Sequence, residues 1–296
     1  MYSYPLEETK RVFQAILQKG LPETGWSWLQ KEVAKLEAGE SASFGGAFVM
    51  APRRTGKEGC AISPAEANEL LRIRPGLKIE KWTVDRISRA CLVMCLPAEN
   101  EAAYVGMIEN LFLAAEMNEL VALYGSLPLL AYPQQWRRRC SEGIRSNIGQ
   151  VIEAIMCDNP YPSEQLDEPA WNQLVLKAIF TEKPLLRILG LRERANARLA
   201  LSISDFAHER WAAHRIVNPL VWICVEKFID DRILDDIRRL AYSTDSSEQK
   251  AAALLCAETV YSPAKTLLEN TPRLRQILEE GVTWTKLATE LEASRV

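Results

Sequence analysis

The chain has 296 residues, of which 48% are hydrophobic and 25% charged, and its net charge is −3. This is the profile of a globular protein large enough to bury a sizeable core, as one large domain or two small ones. The weak acidity argues against a general nucleic-acid binder, and no run of about eighteen apolar residues predicts a membrane-spanning helix.

The opening segment MYSYPLEETK lacks the charged and apolar regions of a signal peptide, so the expected compartment is the cytoplasm. Seven cysteines are scattered without a disulfide framework and read as reduced, mostly buried thiols. Residues 6 to 19 and 22 to 38 read as amphipathic helices. Residues 39 to 62 differ: Gly45-Gly46, Pro52, Gly56 and Gly59, with Arg53, Arg54 and Lys57, mark the longest irregular segment. Ser63-Pro64-Ala65-Glu66 is a capping box with proline in the first turn, and Pro75-Gly76 breaks the helix that follows.

Further helices are expected over 83 to 96 and over 99 to 123, the latter with a bend near Glu116. An apolar connector at 126 to 133 leads to a helix over 134 to 157, which Asn159-Pro160-Tyr161-Pro162 ends. Residues 168 to 180 and 192 to 216 are helical, and Asn218-Pro219 is a cap followed by proline. Shorter helices follow over 219–229, 231–242, 247–260, 263–270, 272–281 and 283–293. Few runs alternate at period two. The expectation is an all-α fold of irregular stacked helical pairs, an α-α superhelix of HEAT-like kind, in one domain over 1–296. No fixed-period repeat is present.

Motifs that carry chemistry are mostly near misses. His208 and His214 lie six residues apart, about 240° around a helix, so they cannot share a metal as an i, i+4 pair does. Asp205 and His208 have the carboxylate-x-x-His spacing of di-iron bundles, but no third histidine completes such a site. The run Ala51–Glu58 mimics a phosphate loop but has alanine at its first position and Glu58 where a hydroxyl would hold magnesium. Cys91 and Cys95 share a helix face without an iron–sulfur spacing. No metal site and no cofactor are expected.

Polar groups among apolar ones say more. On the helix over 192 to 216, one arc collects Leu199, Ile203, Phe206, Ala207, Trp211 and Ala213, and within it fall Asn196, Arg210 and His214. The opposite arc carries Arg194, Arg198, Asp205 and Glu209, a solvated face; His208 stands at the border. The helix over 168 to 180 is apolar almost all round, with Asn172, Gln173 and Lys177 as exceptions. Lys177 either reaches the surface or is a functional cation. Asn147 lies on the margin of its helix, and Asn159 and Tyr161 sit in the rigid turn. Together these groups either line a polar cavity or form a satisfied network that fixes helix register.

Several phrases resemble the EboA family: Glu142-Gly143-Ile144-Arg145-Ser146-Asn147, Asn159-Pro160-Tyr161-Pro162, Ala170-Trp171-Asn172-Gln173 with Lys177, and Ala207 to Ala213. Arg74-Pro75-Gly76, Trp82-Thr83-Val84-Asp85, Leu127-Pro128-Leu129-Leu130 and Trp284 belong with them. The resemblance spans most of residues 44 to 285. It implies a part in the trafficking or processing of secondary metabolites, beside the other proteins of ebo gene clusters, and supplies no catalytic residue. The leading expectation is a helical protein that holds a small polar or amphiphilic metabolite, or a partner enzyme. Its ligand-binding candidates are Asn147, Asn159, Tyr161, Asn172, Lys177, Asn196, Arg210 and His214. The alternative is an enzyme with His208 or Glu209 as acid or base and Arg210 with Lys177 as an anion clamp. A protein–protein adaptor is the third reading.

Overall fold

The computed structural model describes residues 1–294. The regular elements of its described residues are all helices, with one isolated antiparallel bridge between Gly59 and Thr83 and no sheet, as an all-α fold requires. The chain forms two compact units, Met1–Ala170 and Trp171–Val296.

The first unit contains α1 (Leu6–Gly20), α2 (Glu23–Glu37), α3 (Phe44–Thr55), α4 (Pro64–Ile73), α5 (Val84–Met94), α6 (Glu101–Ala114), α7 (Met117–Gly125), α8 (Arg137–Ile144), α9 (Gly149–Met156) and α10 (Tyr161–Gln165). Its hub is α5, buried from Ile87 to Met94 and packed against α1, α2, α3 and α7. A helix enclosed on all sides has nowhere to place charge unless it is paired. Arg89 meets this condition: its guanidinium donates to Asp85 at 2.8 Å and to the Phe48 carbonyl at 2.9 Å, with Glu119 3.7 Å away.

Residues 44–55 are a helix, where a loop over 39–62 is expected from the glycines and proline. Phe44, Ala47, Phe48, Ala51 and Thr55 are buried at helical spacing, and burying this stripe outweighs the poor local propensity. Pro52 inside α3 has no N–H for the carbonyl four residues back, that of Phe48. Arg89 fills that vacancy from α5. Gly56, at φ +88°, ends the helix in a conformation that L side chains rarely adopt. The capping box at Ser63 forms as its sequence implies: Ser63 N–H donates to Glu66 at 2.9 Å and Glu66 N–H to Ser63 Oγ at 3.3 Å.

The helix expected over 134 to 157 is two, α8 and α9, separated at 145–148, where the Ile148 N–H turns to the Ser146 hydroxyl at 3.1 Å.

The second unit contains all but the first three residues of α11 (Glu168–Phe180), then α12 (Ala197–Ala212), α13 (Asp231–Ala241), α14 (Ser246–Glu258), α15 (Ser262–Asn270), α16 (Pro272–Glu279) and α17 (Trp284–Ala293). A 3₁₀ segment, Pro219–Cys224, is buried along its whole length. Here α14 is the hub, with Ala251 to Cys256 buried and contacts to α13, α15, α16, α17 and the 3₁₀ segment. Small side chains at 251–253 let these neighbours approach closely.

The helix expected over 192–216 is shorter at both ends. Asn196 caps its start, accepting from Leu199 N–H at 2.9 Å. Its end is a Schellman turn: His214 N–H donates to the Trp211 carbonyl at 3.0 Å and Arg215 N–H to the Arg210 carbonyl at 2.8 Å. His214 takes the left-handed position, φ +54°, that glycine usually holds.

Candidate functional site

The second unit encloses a groove of about 670 Å³, a size typical of small-molecule sites. Its walls include four stretches beside the 3₁₀ segment and its cap, which bring Asn218, Pro219 and Val221. The end of α11 and the turn after it bring Ala178, Ile179, Phe180 and Leu185. The face and exit of α12 bring Phe206, Arg210 and Ile216. The start of α14 brings Asp245 to Ser247, and α17 brings Glu290, Leu291 and Ser294. Phe180 and Phe206 meet edge to face, their ring centres 5.2 Å apart. Phe180 is nevertheless 61% exposed and Ile216 is 78% exposed. Two large apolar side chains thus remain wet beside a walled space.

Arg210 lines this groove in a fixed pose. Its Nε and Nη2 donate to the Ile216 carbonyl at 3.0 and 2.8 Å, strapping the turn that follows α12. The guanidinium also lies 6.0 Å from the centre of the Phe206 ring. Lys183 is the other cation of the lining, against Glu182, Asp245 and Glu290. Asp245 caps α14 by accepting from Ser247 N–H at 2.8 Å, and Glu290 pairs with Lys250. The lining is mixed in charge, apolar at one end and polar at the α14 end.

The sequence candidates are divided between the two units. Asn147, Asn159 and Tyr161 belong to the first unit and the others to the second. Asn147 is exposed. Asn159 is buried and spends its amide on structure: Nδ2 donates to the carbonyls of Ala154 at 2.9 Å and Tyr124 at 3.2 Å, and Oδ1 accepts from Tyr161 N–H at 3.0 Å. The Tyr161 hydroxyl donates to the Pro133 carbonyl at 2.6 Å, and burial raises its pKa. Asn172 and Asn196 exchange amide hydrogen bonds of 3.1 and 2.8 Å, tying α11 to the start of α12. Lys177 is half-buried on α11, and the groove lining does not include it. His214 is exposed and serves as the left-handed stop of α12, not as an inward group. Arg210 alone among the candidates lines the groove. Sequence alone does not mark Phe180, Phe206 or Ile216 as site residues; the signal for Phe180 is a large apolar side chain at the very end of a mostly apolar helix.

His208 has a built environment of its own. Asp236 on α13 is 3% exposed and accepts from His208 Nε2 at 2.5 Å and from the Ser204 hydroxyl at 2.6 Å. The carboxylate stands between hydroxyl and imidazole, so the imidazole cannot take the serine proton as it does in a nucleophilic triad. The Trp211 ring lies 5.7 Å from the imidazole, stacks on Trp222 at 5.9 Å and carries the Arg239 guanidinium at 4.5 Å. Glu209 is exposed. All seven cysteines are free and buried, and burial pushes the Cys224 and Cys256 thiols up to about 12, which leaves them poor nucleophiles at neutral pH. Among the described residues no three His, Cys, Asp or Glu side chains form a metal-holding group, and no helix is long and apolar enough to cross a membrane.

Comparison with known proteins gives one match. The family model described as metabolite traffic protein EboA matches residues 9–226. No curated protein and no solved structure matches the chain. The matched span includes Phe180, Phe206, Arg210 and Ile216; the groove walls from α14 and α17 lie beyond it.

Proposed function

The chain belongs to the EboA family of metabolite traffic proteins, and from that premise we propose that its second unit binds a small amphiphilic metabolite in the groove beside Phe180 and Arg210. The observation that carries this reading is the exposure of Phe180 and Ile216 within a walled space of about 670 Å³. Burying apolar surface there supplies affinity, at about 25 cal/mol per Å² before the costs of association. The Phe180–Phe206 pair offers a face to a flat or branched apolar group. Arg210, already ordered by the Ile216 carbonyl, offers its remaining donors to an oxygen-rich end at little further entropic cost. The groove would keep such cargo out of water until a pathway enzyme, including other products of the ebo cluster, takes it over. A reducing compartment, the cytoplasm, suits seven unpaired buried thiols.

Native mass spectrometry of the purified protein tests the reading. A small molecule should copurify with the wild type and be lost from Phe180→Asp, which places a charge on the apolar rim. A molecule retained by Phe180→Asp would remove the groove from the argument.

The enzymatic alternative has one favourable observation, the orientation of His208 by a buried carboxylate. It needs His208, Glu209, Arg210 and Lys177 at one cavity, whereas only Arg210 of the four lines the groove. Binding without turnover is therefore the reading we favour. Copurification unaffected by His208→Asn is its corollary.

A further inference from the structure

The two buried arginines of the first unit, Arg74 and Arg89, are matched to acceptors. Arg74 grips Glu164 through two contacts of 2.6 Å and donates to the Pro128 carbonyl at 3.0 Å. Arg89 is held by Asp85 and the Phe48 carbonyl. Arg86, in the first turn of α5, has no such set. Its Nε is sealed from solvent and has no hydrogen-bond partner. The adjacent Asp85 is already committed, one oxygen to Arg89 at 2.8 Å and the other to the Thr83 hydroxyl at 2.5 Å. The charge of Glu153 favours the protonated form of Arg86 through its field.

The guanidinium is nevertheless seated in a made-to-measure slot. Its carbon lies 3.9 Å from the centre of the Trp82 ring. On α7, Gly125 allows the approach: a Cβ there would stand 2.0 Å from Nη2 and 2.8 Å from Cζ. Burial pushes this guanidinium below its usual range. A cation desolvated without a hydrogen-bonded counterion is costly, and the cost falls when an anion completes it. The residue as a whole is part-exposed, and Nε is the guanidinium nitrogen that is both sealed and unpartnered. A guanidinium lying flat on an aromatic face presents its edge as a planar fork suited to two oxygens of one anion.

We propose that Arg86 anchors an oxyanion site in the first unit, taking the carboxylate or phosphate group of a small molecule, with Trp82 and Gly125 fixing the orientation of the fork. The site is independent of the groove of the second unit.

Calorimetric titration of the full chain tests it, with inorganic phosphate and with acetate as probes and chloride at matched ionic strength as the reference. The wild type should show saturable binding to at least one probe. Arg86→Met should weaken it by about tenfold or more, the loss expected for a charge-assisted pair. Gly125→Ala keeps the charge but evicts the guanidinium from its slot, and should weaken binding similarly. This second variant clashes only with the end of a flexible side chain, so it keeps the test open if Arg86→Met folds poorly. Phosphate binding alone would assign a phosphorylated ligand, and acetate binding a carboxylate. Absence of saturable binding to both probes, or binding that Gly125→Ala and a folded Arg86→Met leave intact, would overturn the proposal.

Discussion

His214 shows how one residue's backbone can decide its role. Two histidines on one helix attract functional readings, yet this one sits at φ +54° as the left-handed stop of α12. The position tolerates histidine better than a branched residue, but glycine holds it without a Cβ penalty. His214→Gly is expected to raise stability by about 1 kcal/mol, read as a higher denaturation midpoint in urea with unchanged slope. A decrease would show that the imidazole makes a contact worth more than the strain. Arg210 illustrates the opposite case. Its place on the inward arc was legible from the spacing of α12, and it does line the groove. Its two-pronged bond to the Ile216 carbonyl was not legible, because it depends on the chain reversing after Ala213.

Among the elements, helix identity was readable wherever apolar period and caps agreed, as in α4 with its Ser63–Glu66 box. Period alone misled at 134–157: Ile144, Ile148, Val151 and Ile155 keep helical spacing across a real break, and Ile148 is the exposed member of the four. Composition misled at α3, whose glycines and proline hide the buried stripe. That helix depends on a neighbour for its one missing hydrogen bond. Arg89→Met would strand Asp85, Glu119 and the Phe48 carbonyl together, with an expected loss of about 3–5 kcal/mol in equilibrium unfolding. Pro52→Ala restores an N–H for that carbonyl, so the double variant should lose less than the two single effects added; strict additivity would refute the coupling. The α4 cap has a pH signature. Lys19 first, then the Ser63 hydroxyl and backbone, lower the Glu66 pKa from 4.5 to about 2. A depressed carboxylate stabilises above its unfolded pKa and loses that contribution as pH falls through the folded one. The stability gap between wild type and Glu66→Gln should therefore be full at pH 6 and close between about pH 4.5 and 2. A gap that persists at pH 2 would contradict the assignment.

For the whole molecule, the fold class was open to sequence because few runs alternate at period two, whereas the division at Ala170 was not. It falls inside α11, just after Pro169, and a proline in the first turn marks the start of a helix rather than a boundary between units. The groove was hidden for a related reason: its walls come from residues around 180, 206–219, 245 and 290, which only folding brings together. The composite wall has a consequence for how binding preferences could diversify. The aromatic and guanidinium side lies inside the family match, while the α14 and α17 side lies after residue 226. Selectivity could then be retuned through the C-terminal helices alone, with the cargo-facing aromatics untouched. Chimaeras that graft residues 227–294 from one family member onto another should exchange the identity of the copurifying molecule while keeping its Phe180 dependence. Cargo that follows the N-terminal portion instead would locate discrimination on the aromatic side.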